Sequence, residues 1–173
     1  MDSSPIDKYI KDYHELKTKL NLDISSVNLI NDNFRKTLLL SCASFHEATI
    51  TEMVEKFINA KTSCTGVQTF AKINGINRKY YTYFDWNEKK INRFLSMFGD
   101  KFKDQISTEI EANNKIKDGM EAFLELGNER NKMVHENYLI YKLNKTFEEI
   151  EELYKKSINL LIFLDEKFDE LCK

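Results

Sequence analysis

Only one proline and five glycines occur in 173 residues. An all-β sandwich or barrel needs turn residues about every 8–12 positions, so this composition argues against one. Cysteine is scarce as well. Cys42, Cys64 and Cys172 lie far apart, are odd in number and form no C-x-x-C, which leaves no disulfide framework to read. Cys42 sits in an apolar stretch and reads as a packed thiol. No run of about 18 apolar residues is present, so no membrane span is expected. Met1–Pro5 lacks the apolar core of a signal peptide. A reduced, cytoplasmic setting fits these absences. Neither sign of charge dominates: 26 basic residues face 28 acidic ones, for a net charge of −2. A generic polyanion binder is thereby excluded, and any nucleic-acid site must be a local patch. H-E-x-x-H, paired H-x-x-x-H, the phosphate-cradling glycine loops and G-x-S-x-G are all missing, so no metal and no cofactor is expected.

What is present is helical periodicity. The length fits one domain over residues 1–173, with a core over about 25–170 and an N-terminal helix over about 5–20. Ser4 and Pro5 have the order of a helix cap and first turn, ahead of Ile6, Ile10, Leu16 and Leu20. Asn21–Ser26 reads as a turn. A long helix follows, carrying Val27, Ile30, Phe34, Leu38, Phe45, Ile50, Met53, Val54, Phe57 and Ile58 at helical spacings. From Lys61 to Phe84 the periodicity fails, and Gly66, Asn74, Gly75 and Asn77 offer turn positions. Asp85 and Glu88 have capping-box spacing and predict a third helix ending at Gly99. Lys101–Ala112 reads as a short helix or a connector. Asn113–Leu126 is a fourth long helix, interrupted by Gly127. Thr146 and Glu149 form a capping box before the strongest apolar stripe, Phe147 to Leu171. The sum is an all-α bundle of about five or six helices.

Two of the three histidines carry little signal. His14 reads as solvated surface, and His46, beside Glu47, as a packed or surface residue. The third belongs to a polar run between two apolar helices, Gly127-Asn128-Glu129-Arg130-Asn131-Lys132-Met133-Val134-His135-Glu136-Asn137-Tyr138. Arg130 offers a permanent charged fork for phosphate, and His135 moves a proton near neutral pH. Asn131 can orient the phosphate or fix the histidine tautomer. Five residues along a straight helix turn their directions about 140° apart. A break near Gly127 or within the run would bring them together. So would a cleft shared with a second copy of the chain.

Arg130-Asn131-x-x-x-His135 resembles the R-N-x-x-x-H signature of the HEPN superfamily, small all-helical domains found in many bacterial RNases. The apolar Gly119–Leu126 helix leads into it, as in that family. Ser41–Glu47 resembles the family's long early helix. Trp86-Asn87 through Leu95 is similar to a segment of stand-alone HEPN proteins encoded near toxin–antitoxin and phage-defence loci. The likeness covers roughly residues 25–170.

The resemblance implies a metal-independent endoribonuclease that acts as a homodimer on RNA. It makes His135 the general base and Arg130 the phosphate ligand, with Asn131 orienting one or the other. Glu47 is a looser match for a residue that holds Arg130, and reads equally as a surface acid. Some of these toxins carry His-x-Tyr, where a partner antitoxin modifies the tyrosine. Here Tyr138 is one place later, so that regulation is in doubt and Tyr138 reads equally as packing. An antitoxin or other regulator remains a candidate partner. Lys72, Arg78 and Lys79 are candidate RNA contacts, with Tyr80, Tyr81, Tyr83 and Phe84 either stacking bases or covering the bundle end. The alternatives to a toxin or anti-phage nuclease are a non-catalytic HEPN-fold dimerisation or binding module and a helical adaptor.

Overall fold

Ser4 caps the first helix with its own side chain. Its Oγ accepts from the Asp7 N–H at 3.2 Å, while Asp7 Oδ2 accepts from the Ser4 N–H at 3.1 Å. Pro5 then takes the first turn, where a missing N–H goes unfelt. The computed structural model describes residues 4–19, 24–88 and 90–173, with backbone alone for 24–27. Helix α1 is Pro5–Lys19, α2 Ile24–Lys61, α3 Thr65–Ala71, α4 Tyr80–Tyr83, α5 Asn92–Ser96, α6 Asp100–Ala112, α7 Asn114–His135 and α8 Phe147–Cys172. A π-helical turn, Lys72–Ile76, follows α3. No strand occurs among the described residues, as an all-α bundle requires.

The long helices α2, α7 and α8 pack on one another and carry the core. Gly119 makes the α7–α8 crossing close: a methyl there would lie 2.8 Å from the Lys156 carbonyl oxygen. Two apolar clusters line the bundle. One joins Ile50, Met53, Phe94, Ile106, Phe123, Leu160, Leu164 and Phe168. The other joins Ile6, Ile10 and Tyr13 of α1 to Leu38, Leu39, Leu126, Met133, Phe147 and Ile150. The α8 capping box forms as expected, with Thr146 Oγ1 accepting from Glu149 N–H at 3.1 Å and Glu149 Oε2 from Thr146 N–H at 2.7 Å. Cys42 is fully buried, and burial pushes its thiol up to about 12.

Several expectations need correction. Among the described residues there are eight helices where about five or six were expected, because the Lys61–Phe84 stretch contains α3, the π-helical turn and α4. Asp85 does not open a helix. Its carbonyl accepts from the Glu88 N–H at 3.0 Å and its Oδ1 from the Asn87 N–H at 3.4 Å, which closes a turn, and α5 begins only at Asn92. Gly127 does not interrupt α7, which runs unbroken to His135. The turn expected over Asn21–Ser26 and the apolar position Leu20 fall partly outside the described residues, but Ile24–Ser26 already belong to α2. His14 is half-exposed and sits 2.8 Å from Glu151 rather than standing free.

Candidate active site

The motif occupies the last turns of α7. Because the helix is continuous, Arg130 and His135 project about 140° apart and about 7.5 Å apart along the axis. One chain therefore does not bring them together. His135 ends the helix and is exposed. Close to it in the chain, Val134, Leu139 and Ile140 are 47%, 81% and 74% exposed and form an apolar edge at this end of α7.

Arg130 is half-buried and held on two sides. Its Cζ sits 4.0 Å from the centre of the Tyr81 ring, and its Nη1 donates to Asn131 Oδ1 at 3.3 Å. Asn131 thus serves the arginine. Among the described residues no carboxylate pairs with this guanidinium, whereas neighbouring Lys132 is neutralised by Glu129 at 2.8 Å. Glu47 does not hold Arg130 directly. It accepts a hydrogen bond from the Tyr81 hydroxyl at 3.1 Å. Burial pushes the Tyr81 phenol up to about 12. Arg130 opposes that rise and Glu47 adds to it, so the hydroxyl stays a donor.

Tyr81 itself is fixed by Trp86, whose indole Nε1 donates to the Tyr81 carbonyl at 3.0 Å. The indole lies where Gly127 leaves a gap in α7, one turn before Arg130. Sequence reading missed Tyr81 and Trp86 as parts of this site. A glycine inside a helical pattern, one turn from the motif, was the available signal of a close approach.

Tyr138 is half-buried and packed against the second cluster. Buried Lys36 lies 2.8 Å from Asp32, donates to the Tyr138 carbonyl at 3.2 Å and sits 5.5 Å over its ring. That is a packing role. Of the candidate RNA contacts, Lys72 is paired with Glu55 at 3.0 Å. Arg78 and Lys79 are exposed, with Arg78 in the left-handed region at φ 59°. Tyr80, Tyr83 and Phe84 are buried in the core, so they cover the bundle end and are not a stacking surface. His46 is buried, with Nε2 2.8 Å from Ser157 Oγ. Among the described residues no three His, Cys, Asp or Glu side chains gather as a metal site, and no helix is long and apolar enough to cross a membrane.

Fold and motif together define an all-helical protein with its polar signature at the end of the penultimate long helix. The family described as RiboL-PSP-HEPN matches residues 4–170, and the chain belongs to that HEPN family. The match extends the likeness N-terminally from residue 25 to include α1, in keeping with the burial of Ile6, Ile10 and Tyr13. No curated protein and no solved structure matches the chain.

Proposed function

We propose that this protein is a metal-independent endoribonuclease whose cleft combines Arg130 and Asn131 of one copy with His135 of a second. The observation that carries this reading is the unbroken α7, which keeps Arg130, without a carboxylate partner among the described residues, and an exposed histidine on diverging sides of one helix. The exposed Val134, Leu139 and Ile140, close to His135 in the chain, supply an apolar surface for pairing at that end. A two-fold arrangement is the default for such a contact.

In this reading His135 takes the proton of the ribose 2′-OH. The 2′ oxygen bonds to the adjacent phosphorus, the bond from phosphorus to the 5′ oxygen breaks, and the imidazolium returns a proton to that oxygen. The products are a 2′,3′-cyclic phosphate and a 5′-OH. Arg130 binds the phosphate and stabilises charge that builds on its oxygens in the transition state. Exposed Arg78 and Lys79 are available to meet the RNA backbone. The same proposal includes a role as a toxin or anti-phage effector in the cytoplasm, silenced by a regulator protein, and a single domain.

The test is cleavage of total RNA by purified protein and by His135→Ala, with EDTA present and product ends mapped. Cleavage by the parent alone, leaving cyclic phosphate, is the expected result. Two equally inert, folded and dimeric proteins would favour a non-catalytic binding module. Equal cleavage by both would mean the site lies elsewhere.

A further inference from the structure

We propose that Tyr81 is a positioning residue that presents Arg130 to phosphate, a role that rests on the phosphate-binding reading of that arginine. An arginine on the flank of a helix has many rotamers, and holding one of them is part of making a site. Tyr81 restricts Arg130 by placing its ring 4.0 Å from the guanidinium carbon. Cation–π contact of this kind leaves the guanidinium edge open, so the N–H groups not given to Asn131 can meet an anion.

Tyr81 is itself anchored at both ends, the ring through its hydroxyl and the backbone through its carbonyl. Its hydroxyl donates to Glu47 of α2 at 3.1 Å. Its carbonyl accepts from Trp86 at 3.0 Å, and the indole is seated in the Gly127 gap of α7. Glu47 of α2 and Trp86, seated against α7, therefore both hold the one residue whose ring lies against the guanidinium. Tyr81 packs on the edge of the first cluster, against the Tyr80 and Trp86 rings, with one face left to Arg130. Its neighbours Tyr80, Tyr83 and Phe84 are 3%, 1% and 2% exposed and belong to the core, whereas Tyr81 is only half-buried, with Arg130 across it. The arrangement also gives Glu47 a use other than a direct ion pair: it fixes the tyrosine, and among the described residues no carboxylate forms a salt bridge with Arg130.

The experiment is a double-mutant cycle read two ways. Affinity is measured by anisotropy with a 2′-O-methyl RNA decamer, which lacks the nucleophile. kcat/KM is measured on the same sequence as RNA. Tyr81→Phe keeps the ring and should stay within about threefold of the parent, while Tyr81→Leu should lose about tenfold in both readouts. In an Arg130→Ala background, where affinity is the only readout left, Tyr81→Leu should add less than about twofold, because the residue it positions is gone.

Parent-like behaviour of Tyr81→Leu overturns the proposal, as does an undiminished loss without Arg130. If Tyr81→Leu fails to fold, the Arg130 side-chain protons of the parent decide, assigned by comparison with Arg130→Lys. An upfield ring-current shift is expected, and its absence overturns the proposal. Binding of the decamer without RNA cleavage would sink the nuclease reading alone, leaving the affinity cycle to judge Tyr81. A parent that does neither sinks both.

Discussion

Trp86 fills the space that Gly127 leaves on α7. A methyl group at Gly127 would lie 1.9 Å from the indole Cζ3, 2.4 Å from Cε3 and 2.8 Å from Cη2. The glycine is needed for this approach, since the ring sits where any side chain would begin.

Gly127→Ala is therefore expected to destabilise the protein. Alanine recovers about 1 kcal/mol of helix propensity. Displacing a packed indole costs more, and a net loss of about 1–3 kcal/mol is expected in urea unfolding. Trp86 is the only tryptophan, so its emission reports the displacement directly and should shift to the red. Because its Nε1 bonds the Tyr81 carbonyl, the damage should reach Arg130 and lower RNA cleavage as well. Unchanged stability and emission would contradict the packing described.

Lys36 gives the turn after α7 its anchor. The residue is 3% exposed, and its Nζ bridges Asp32 Oδ2 at 2.8 Å and the Tyr138 carbonyl at 3.2 Å. Burial pulls the Asp32 carboxyl upward, but Lys36 and Arg35 outweigh it and hold it below its ordinary value. Lys36→Met keeps the apolar stem, removes the donor and strands the carbonyl. A loss of about 1–3 kcal/mol is expected. Hydrogen exchange should quicken at Ile140 and Tyr141, whose N–H groups both bond the Asn137 carbonyl in this turn. Exchange that stays at the parental rate would remove Lys36 from that role.

His46 makes stability depend on pH. Ser157 Oγ donates to the Tyr154 carbonyl at 2.7 Å, so it has only lone pairs left for His46 Nε2 at 2.8 Å, and Nε2 must carry the proton. Burial holds the imidazole neutral and depresses its pKa to about 3. The unfolded chain, with an ordinary value near 6.5, binds this proton first as pH falls. The stabilising contribution is thus complete above about pH 6.5 and drains away below it, by about 1.4 kcal/mol per pH unit at most. Urea unfolding at pH 7.5, 6.0 and 5.0 should show that slope in the parent and a shallower one in His46→Gln. Equal slopes would mean that His46 is not the group responsible.

Local signals were legible in the sequence and distant ones were not. The Thr146–Glu149 box and the stripe from Phe147 to Leu171 are contained within one helix; the box forms as read and the stripe faces the core, with Leu153, Ile158 and Leu171 only partly buried. Asp85 and Glu88 have the same spacing but no long apolar stripe behind them, and the pattern closes a turn instead. Gly127 carries opposite meanings in a sequence, helix breaker or packing notch, and only Trp86 arriving from elsewhere in the chain decides between them. Arg130, Asn131 and His135 could be named from one short motif. Glu47 was found for the wrong contact, because Tyr81, the residue between it and Arg130, lay in a segment with no periodicity to orient it.

The divergence of Arg130 and His135 leads to a complementation test of the two-copy cleft. Arg130→Ala and His135→Ala should each be inactive alone. Denatured together in equal amounts and refolded, about half of the dimers formed are mixed. In a mixed dimer one cleft receives both substitutions, while the other pairs the intact Arg130 of the His135→Ala chain with the intact His135 of the Arg130→Ala chain. Half the dimers then carry one working cleft of two, and activity should return to about a quarter of the parent's. A cleft built within one chain gives no recovery, because every chain in the mixture lacks one of its two groups. Co-refolding Arg130→Ala with Asn131→Ala is the control. Both residues lie on the same side of the proposed cleft, so that mixture should show no more than the mean of the two variants' own activities, and recovery above it would show that pairing across the two-fold axis is not what restores the first.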